Sequence, residues 1–175
     1  MRQEVAERAF IGIGANLGEP ASTVRRAIAA IASVPDTELI ASSSLYRTTP
    51  VGFLEQPDFV NAVAEVETYL DPVAFLDQLL LIEAQFGRVR GARNAPRTLD
   101  LDLLLHGNRQ MSSPQLTLPH PRMAERAFVL VPLAEIAPDA AVGTLGTAAH
   151  LLRRISDRGV NCLNEAGDLL PSGAG

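Results

Sequence analysis

Two aspartates, Asp100 and Asp102, stand in a leucine-rich segment that is predicted to form a strand over residues 99–106. Residues i and i+2 of a strand point to the same face, so the carboxylates are expected side by side, about 6–7 Å apart at Cα. Two such carboxylates repel each other unless a cation such as Mg²⁺ lies between them, and a two-metal site spaced about 3.5–4 Å fits this geometry. Taken alone, the pattern slightly favours an exposed strand face with two solvated acids. The opposite face would be formed by leucines: Leu99, Leu101, Leu103 and Leu105.

The segment before this strand is rich in arginine: Arg88, Arg90, Arg93 and Arg97. Arginine binds phosphate oxygens with two parallel hydrogen bonds and stabilises a phosphoryl group during transfer. Basic loops are more often solvated and paired with surface acids. A basic loop that leads directly into an acidic strand pair, however, is the arrangement expected of a magnesium–polyphosphate site, where arginines bind phosphates and aspartates bind the metal.

Glu83 and His120 are two further polar candidates. Glu83 lies on the apolar stripe of a predicted helix, where a carboxylate should be paired. It could anchor an arginine or accept a hydrogen bond from a ligand, or it could reach water at the edge of the stripe. His120 lies between two prolines and near Arg122 and Arg126. It is either a rigid turn residue or a donor to a phosphate, and the histidine spacing does not favour a zinc site.

Phe59 and Asn61 are expected on one face of a predicted strand over residues 59–68. An aromatic ring beside an amide suits a flat heterocycle, which the ring can stack on and the amide can bind at its edge. An ordinary half-buried strand is the alternative. The glycine-rich segment 12–18 is not a P-loop, because it has no lysine, and it is interpreted as a tight turn.

Composition limits the possible functions. The 175 residues predict a single domain, and all 15 basic residues are arginines, which excludes a catalytic lysine. The net charge of −5 argues against nucleic-acid binding. Cys162 is the one cysteine, so an internal disulfide is excluded. No apolar run approaches the roughly 20 residues of a membrane span, and the default expectation is a cytoplasmic protein without a membrane partner.

The predicted elements follow the order β-α-β-β-α-β. This order predicts an α+β, ferredoxin-like sheet. A short strand or a helix at 128–136 follows these elements, and a last amphipathic helix comes after it. The predicted ranges are strand 8–15, a helix ending near 34, strand 38–46, strand 59–68, helix 71–86, strand 99–106 and helix 147–157.

Several segments together resemble the 6-hydroxymethyl-7,8-dihydropterin pyrophosphokinase family of folate biosynthesis. The resemblance covers about residues 8–138, and its most specific part is the Pro-Arg-x-x-Asp-x-Asp pattern from Pro96 to Asp102. The other segments are Gly12–Gly18, Ser44–Pro50, Gln56–Asn61, Ile82–Glu83 with Gly87–Arg90, and Leu118–Pro121 with Arg126–Leu130.

The resemblance implies an antiparallel ferredoxin-like sheet with helices on both faces. It also implies that ATP donates its β,γ-diphosphate to the hydroxymethyl oxygen of the pterin and leaves as AMP. By resemblance, two Mg²⁺ ions bind Asp100 and Asp102, and Arg88 and Arg97 contact the triphosphate. The implied ATP-binding residues are Glu83, Arg90, Leu103, Thr117, His120 and Arg126. The implied pterin-binding residues are Thr48, Val51, Phe59, Asn61 and Phe128.

The resemblance leaves residues 139–175 without an assigned function, and the chain is expected to act as a monomer. A different Mg²⁺-dependent nucleotidyl- or phosphotransferase with paired strand aspartates is the second enzyme hypothesis, and it would lack the flat pterin pocket. A regulatory domain that binds a small molecule is the non-enzymatic hypothesis. Such a domain would not need the aspartates and the arginine-rich loop together.

Overall fold

Two long strands, β1 (Arg2–Ala15) and β4 (Phe59–Leu70), pair antiparallel at the centre of the fold. They belong to a computed structural model that describes residues 2–49, 57–87 and 98–163. Strand β5 (Asp100–His106) pairs antiparallel with the other edge of β1. Strands β2 (Thr37–Ser42) and β3 (Tyr46–Thr48) pair with successive parts of β4. The sheet order is therefore β5-β1-β4-β3, with β2 beside β4 and a short strand β8 (Val160–Cys162) beyond β3.

Helices α1 (Pro20–Ala32) and α2 (Pro72–Gln85) pack on one face of the sheet. The start of α2 is fixed locally, because the Asp71 side chain accepts a hydrogen bond from the Ala74 N–H at 2.9 Å and Pro72 occupies the first turn. Apolar side chains of both helices and of the sheet form the first core, which includes Ile11, Val24, Ile31, Phe75, Leu79, Leu101 and Leu103. Burial of each such side chain contributes about 1.5–3 kcal/mol.

The other face of the sheet is covered by α3 (Ala127–Ile136) and α4 (Ala148–Leu152), with a 3-10 turn at Met123–Glu125 before α3. These elements bury a second core that includes Phe10, Val63, Leu104, Leu105, Leu130, Leu133 and Leu151. Because both faces are covered, β4 is buried along most of its length. The predicted α+β class with helices on both faces of an antiparallel sheet is confirmed.

A β-bulge changes the predicted faces of β5. Phe10 lies opposite Leu105 and Ile11 lies opposite Leu103, so Leu104 is an extra residue in the ladder. The extra residue reverses the alternation, and Leu105 joins the second core rather than the leucine face on which it was predicted. The two aspartates precede the bulge and keep their shared face.

Other element boundaries also differ from the prediction. The strand predicted at 38–46 is split into β2 and β3, and the last helix ends at Leu152 rather than near 157. A small hairpin of β6 (Met111–Ser112) and β7 (Thr117–Leu118) lies in the segment predicted as loop. Among the described residues, no helix is long and apolar enough to cross a membrane.

Candidate active site

Two glycines of β1, Gly12 and Gly14, lie on the face of the sheet that α3 covers, and we call this pair the glycine floor. Gly14 lies between Asp100 of β5 and Asn61 of β4, and Gly12 lies in the row next to it, opposite Asp102. Residues paired across antiparallel strands project to the same face, so the carboxylates and the amide share one surface. Because these two positions of β1 carry no side chain, Asn61 Nδ2 and the Leu104 side chain lie directly above them.

The space above Gly14 is especially restricted. A Cβ atom at this position would lie 2.8 Å from Asn61 Nδ2, whereas one at Gly12 would meet Leu104 at an ordinary 3.5 Å. Both glycines lie within β1, inside the predicted strand 8–15, and the turn predicted for the glycine-rich segment follows only after Ala15. Their importance depends on cross-strand neighbours that the local sequence does not show.

The carboxylates of Asp100 and Asp102 belong to half-buried residues on β5, and the buried Leu101 and Leu103 face the first core. Glu83 of α2, which is 2% exposed, accepts a hydrogen bond from the Leu101 N–H at 2.7 Å. Glu83 thus supports the strand that carries both aspartates. Leu103 places its side chain away from the aspartates, so a nucleotide contact from this residue would come from its backbone.

His120 lies beside the aspartates. Its N–H donates to the Leu104 carbonyl oxygen at 2.9 Å, which ties this segment to β5, and its Nδ1 accepts from the Arg122 N–H at 3.3 Å. Because Nδ1 is an acceptor, the neutral ring carries its proton on Nε2. Burial lowers the pKa of His120, the Asp102 charge opposes this, and Arg126 and Arg122 lower it further. The histidine therefore favours the neutral form, with an N–H available as a donor.

Arg126 and Phe128 lie together where α3 begins. Arg126 is the N-cap residue of α3, and its guanidinium lies 5.5 Å from the centroid of the Phe128 ring, within cation–π distance. The charge of Arg126 also reaches His120, whose pKa it helps to lower. One helix terminus therefore brings a cation and an aromatic ring to the same part of the site. Thr117 is half-buried on β7, in the segment that leads to His120.

Two buried polar atoms lie near the start of β4. Asn61 is 8% exposed and Thr48 is 9% exposed, yet Asn61 Oδ1 and Thr48 Oγ1 have no hydrogen-bond partner within the described part of the chain. Thr48 is paired with the half-buried Phe59 across β3 and β4. A buried polar atom without a partner is costly. Atoms left in this state beside an aromatic ring indicate a place for a polar, flat ligand.

The structure brings together most of the predicted site residues that it describes. Asp100, Asp102, His120 and Arg126 lie at one side, and Asn61, Thr48 and Phe59 lie across the glycine floor from the aspartates. Among the described residues there is no group of three or more histidine, cysteine or acidic side chains that could hold a metal ion. Four predicted site residues lie outside the described ranges: Val51, Arg88, Arg90 and Arg97.

Sequence reasoning missed a carboxylate on α3. Glu135 accepts hydrogen bonds from the Ser44 N–H, the Ser44 hydroxyl and the Tyr46 hydroxyl, the last at 2.5 Å. Tyr46 is paired with Asn61, so this contact adjoins the site. Neither residue type nor spacing reveals it, because the partners are 89 and 91 positions apart.

Comparison with known proteins identifies a family and several similar proteins. The family model for 7,8-dihydro-6-hydroxymethylpterin-pyrophosphokinase matches residues 10–138. The chain is 43% identical over 156 residues to the 2-amino-4-hydroxy-6-hydroxymethyldihydropteridine pyrophosphokinase of Haemophilus influenzae, covering 89% of this chain and 98% of that protein. It is 47% identical over 133 residues to the protein of the same name from Pseudomonas aeruginosa, covering 76% of this chain and 82% of that protein.

A solved structure shares the fold. The crystal structure of Plasmodium falciparum HPPK-DHPS wild type with pteroate superposes with a TM-score of 0.70 at 15% identity, over 88% of this chain. The match covers 43% of that longer chain, so this chain corresponds to less than half of it. By these sequence matches, the chain belongs to the 7,8-dihydro-6-hydroxymethylpterin-pyrophosphokinase family.

Proposed function

We propose that this enzyme transfers the β,γ-diphosphate of ATP to the hydroxymethyl oxygen of 6-hydroxymethyl-7,8-dihydropterin. The products are AMP and the pterin diphosphate, and the reaction belongs to folate biosynthesis. The observation that carries the proposal is the glycine floor, with Asp100 and Asp102 on one side and, on the other, Asn61 Oδ1, which has no hydrogen-bond partner among the described residues. A charged polyphosphate and a neutral heterocycle need such different surfaces side by side.

The pterin pocket is formed in this proposal by Thr48, Val51, Phe59, Asn61 and Phe128. Asn61 and Thr48 would bind the polar edge of the ring, because their buried oxygens have no other partner in the described part of the chain. The rings of Phe59 and Phe128, both half-buried, would contact the two faces of the pterin. This arrangement would orient the hydroxymethyl group towards the aspartates.

Two Mg²⁺ ions and the triphosphate would lie at Asp100 and Asp102. The donor set fits, because Mg²⁺ is usually bound by one or two carboxylates together with substrate phosphates rather than by a complete protein cage. Bound there, Mg²⁺ would neutralise phosphate charge and orient the triphosphate oxygens. Glu83 would hold β5 in position through its hydrogen bond to the Leu101 N–H.

Arg88 and Arg97 would contact the triphosphate. The remaining ATP contacts are proposed for five residues: His120, Arg126, Thr117, Arg90 and the backbone of Leu103. His120 would donate from Nε2 to a phosphate or sugar oxygen, since its Nδ1 already accepts a hydrogen bond. Arg126 would add a positive charge where α3 begins. These groups bind and orient the nucleotide and do not form a covalent bond with it.

The chemical step needs no protein nucleophile. The pterin hydroxyl oxygen attacks the β-phosphorus in line, the bond from that phosphorus to the oxygen of the α-phosphate breaks, and the hydroxyl proton is released. AMP leaves with the bridging oxygen. Catalysis on this proposal consists of positioning and charge stabilisation.

The ferredoxin-like description of the fold is also part of the proposal. The strand order β5-β1-β4-β2 with antiparallel neighbours, and α1 and α2 on one face, supports it. We further propose that residues 1–175 act as one domain, as a monomer and in the cytoplasm. Size-exclusion chromatography with light scattering tests the monomeric state, and fractionation of cells that express the protein tests the location.

Identification of the nucleotide product tests the function. The protein is incubated with ATP, MgCl₂ and 6-hydroxymethyl-7,8-dihydropterin, and AMP and ADP are separated by chromatography. We expect AMP in amounts equal to the pterin diphosphate and none without the pterin. ADP as the main product would show transfer of a single phosphate and would overturn the proposal.

A further inference from the structure

The strand that borders β4 is interrupted beside the proposed pterin pocket. Ser42 at the end of β2 lies opposite Ala64, and Tyr46 at the start of β3 lies opposite Asn61. Residues 43–45 therefore face only two residues of β4, and the extra residue forms a β-bulge. A bulge leaves backbone groups without their usual ladder partners, so its geometry depends on what satisfies them.

The backbone groups at this bulge form hydrogen bonds both with β4 and with side chains. The Ser43 N–H donates to the Val63 carbonyl oxygen, and the Ser43 hydroxyl accepts from the Val63 N–H, both at 2.9 Å. The Ser44 N–H instead donates to both carboxylate oxygens of Glu135 on α3, at 3.0 and 3.1 Å. The Ser44 hydroxyl donates to the same carboxylate at 2.9 Å. Glu135 thus holds the bulge against α3.

Tyr46 forms a second link to the same carboxylate. Its hydroxyl donates to Glu135 Oε1 at 2.5 Å, while Tyr46 is only 9% exposed. Burial raises the pKa of Tyr46 well above its usual range, and the hydrogen bond and charge of Glu135 raise it further. The hydroxyl therefore stays protonated and remains a donor at physiological pH.

Glu135 connects the two sides of the pterin pocket. On α3 it lies seven residues after Phe128, which places both side chains on the same helix face, two turns apart. On β3, Tyr46 lies two residues before Thr48 and is paired with Asn61. The carboxylate therefore fixes the helix that carries Phe128 relative to the strands that carry Thr48 and Asn61.

We propose that Glu135 is a positioning residue for the pterin pocket, acting through Tyr46 and Ser44. This inference rests on the proposed function. Glu135 is itself exposed, so its removal leaves no buried charge and no cavity. Without Glu135, the buried Tyr46 hydroxyl and the Ser44 N–H lose their hydrogen-bond acceptor. The separation between β3 and α3 is then no longer fixed.

Binding measurements on Tyr46→Phe, Glu135→Ala and the double variant test the proposal. Titration calorimetry gives the Kd of 6-hydroxymethyl-7,8-dihydropterin in the presence of Mg²⁺ and a non-hydrolysable ATP analogue, and separately the Kd of the analogue. We expect each single variant to raise the pterin Kd on the order of tenfold, since small displacements of positioning elements have effects of this size or larger. The Kd of the analogue should not change.

The double variant and a control variant separate an effect on pocket geometry from an effect on general stability. The double variant should weaken pterin binding less than the product of the single effects, because both substitutions break one link. Glu7→Gln is a matched control: the Glu7 carboxylate accepts three hydrogen bonds from Arg109 at 3.0–3.3 Å and lies towards the other end of β1. It should lower Tm without changing the pterin Kd.

Each outcome is decisive. A pterin Kd like that of the wild type in Tyr46→Phe and Glu135→Ala would overturn the inference, as would equal weakening of pterin and ATP analogue. If Glu135→Ala does not fold, Tyr46→Phe alone decides, because it removes a single hydroxyl. A wild-type protein that binds the analogue but no pterin, and makes no AMP, would instead overturn the proposed function and this inference with it.

Discussion

At the scale of single residues, the site depends on a missing side chain as much as on charged ones. Gly14 has Asp100 on one side and Asn61 on the other, and its lack of a Cβ atom leaves Asn61 Nδ2 in place. Strand glycines are normally destabilising, because they add backbone entropy to the unfolded chain. A glycine within a strand indicates close approach of a ligand or a neighbouring side chain, and at Gly14 this neighbour is Asn61.

Gly14→Ala should therefore weaken pterin binding. The new Cβ would lie 2.8 Å from Asn61 Nδ2, so the amide must move away from the edge of the pterin. We expect the KM for pterin to rise on the order of tenfold, because the lost polar contact is worth about 1–3 kcal/mol. Gly12→Ala is the comparison, since its Cβ would meet Leu104 at an ordinary 3.5 Å and should have the smaller effect. Steady-state kinetics with varied pterin that show equal KM values for both variants would contradict this explanation.

Asp100→Asn and Asp102→Asn should abolish most turnover while the fold stays intact. Both residues are half-buried and neither belongs to the two apolar cores. We expect kcat to fall at least about 100-fold, because several kcal/mol of charge stabilisation are lost with the metal. Asp77→Asn, on the exposed side of α2, is the control for the loss of one negative charge. Turnover near that of the wild type at saturating Mg²⁺ would remove the metal assignment.

At the scale of elements, the helices and strands that are marked by residue periodicity and by turn residues were predicted from the sequence. The helix 71–86 and the strand 99–106 are confirmed within one residue at each end, because Asp71, Pro72 and alternating leucines are local signals. The bulges in β5 and between β2 and β3 were not predicted, since they are set by cross-strand pairing. The contact of Glu135 with Tyr46 was missed for the same reason. It requires α3 to lie over β3, which no local pattern shows.

The end of β5 contains a buried titratable group outside the site. His106 is fully buried, and its ring lies edge-on to Phe75 with centroids 6.2 Å apart. Its Nε2 is 3.4 Å from Glu7 Oε1, and within the described ranges neither ring nitrogen has a hydrogen-bond partner. Burial lowers the pKa of His106, and the Glu7 charge only partly opposes this. The folded protein therefore binds this proton more weakly than the unfolded chain does.

Stability should consequently fall in mild acid through His106. The unfolded chain takes up the proton near pH 6.5 and the folded protein only at lower pH, so the free energy of unfolding decreases below about pH 6.5 by up to about 1.4 kcal/mol per pH unit. Urea denaturation of the wild type and of His106→Leu between pH 5.5 and 8 measures this contribution. The variant should lose less stability than the wild type as the pH falls. A constant difference between wild type and His106→Leu at every pH would contradict the assignment.

At the scale of the whole molecule, the folded unit extends beyond the family match. That match ends at residue 138, yet Ala140, Val142, Ala148 and Leu151 are buried in the second core. The same core supports α3, which begins at the proposed site residues Arg126 and Phe128. The Ala148 N–H donates to the Ala140 carbonyl oxygen at 2.9 Å, which closes this segment on itself. Residues 139–163 therefore contribute to the same core as the elements of the candidate site.

Leucine substitutions within this segment should show that dependence. Leu151 is 8% exposed against the second core, whereas Leu145, six positions earlier, is 59% exposed. Leu151→Ala should lower the free energy of unfolding by about 2–3 kcal/mol, because it leaves a cavity in the second core. Leu145→Ala should stay within about 0.5 kcal/mol of the wild type. Because α3 rests on the core that Leu151 helps to fill, Leu151→Ala should also raise the KM for pterin, and Leu145→Ala should not. Equal stabilities of the two variants in urea denaturation would mean that residues 139–163 are dispensable for the fold, and that the site is built by the residues of the family match alone.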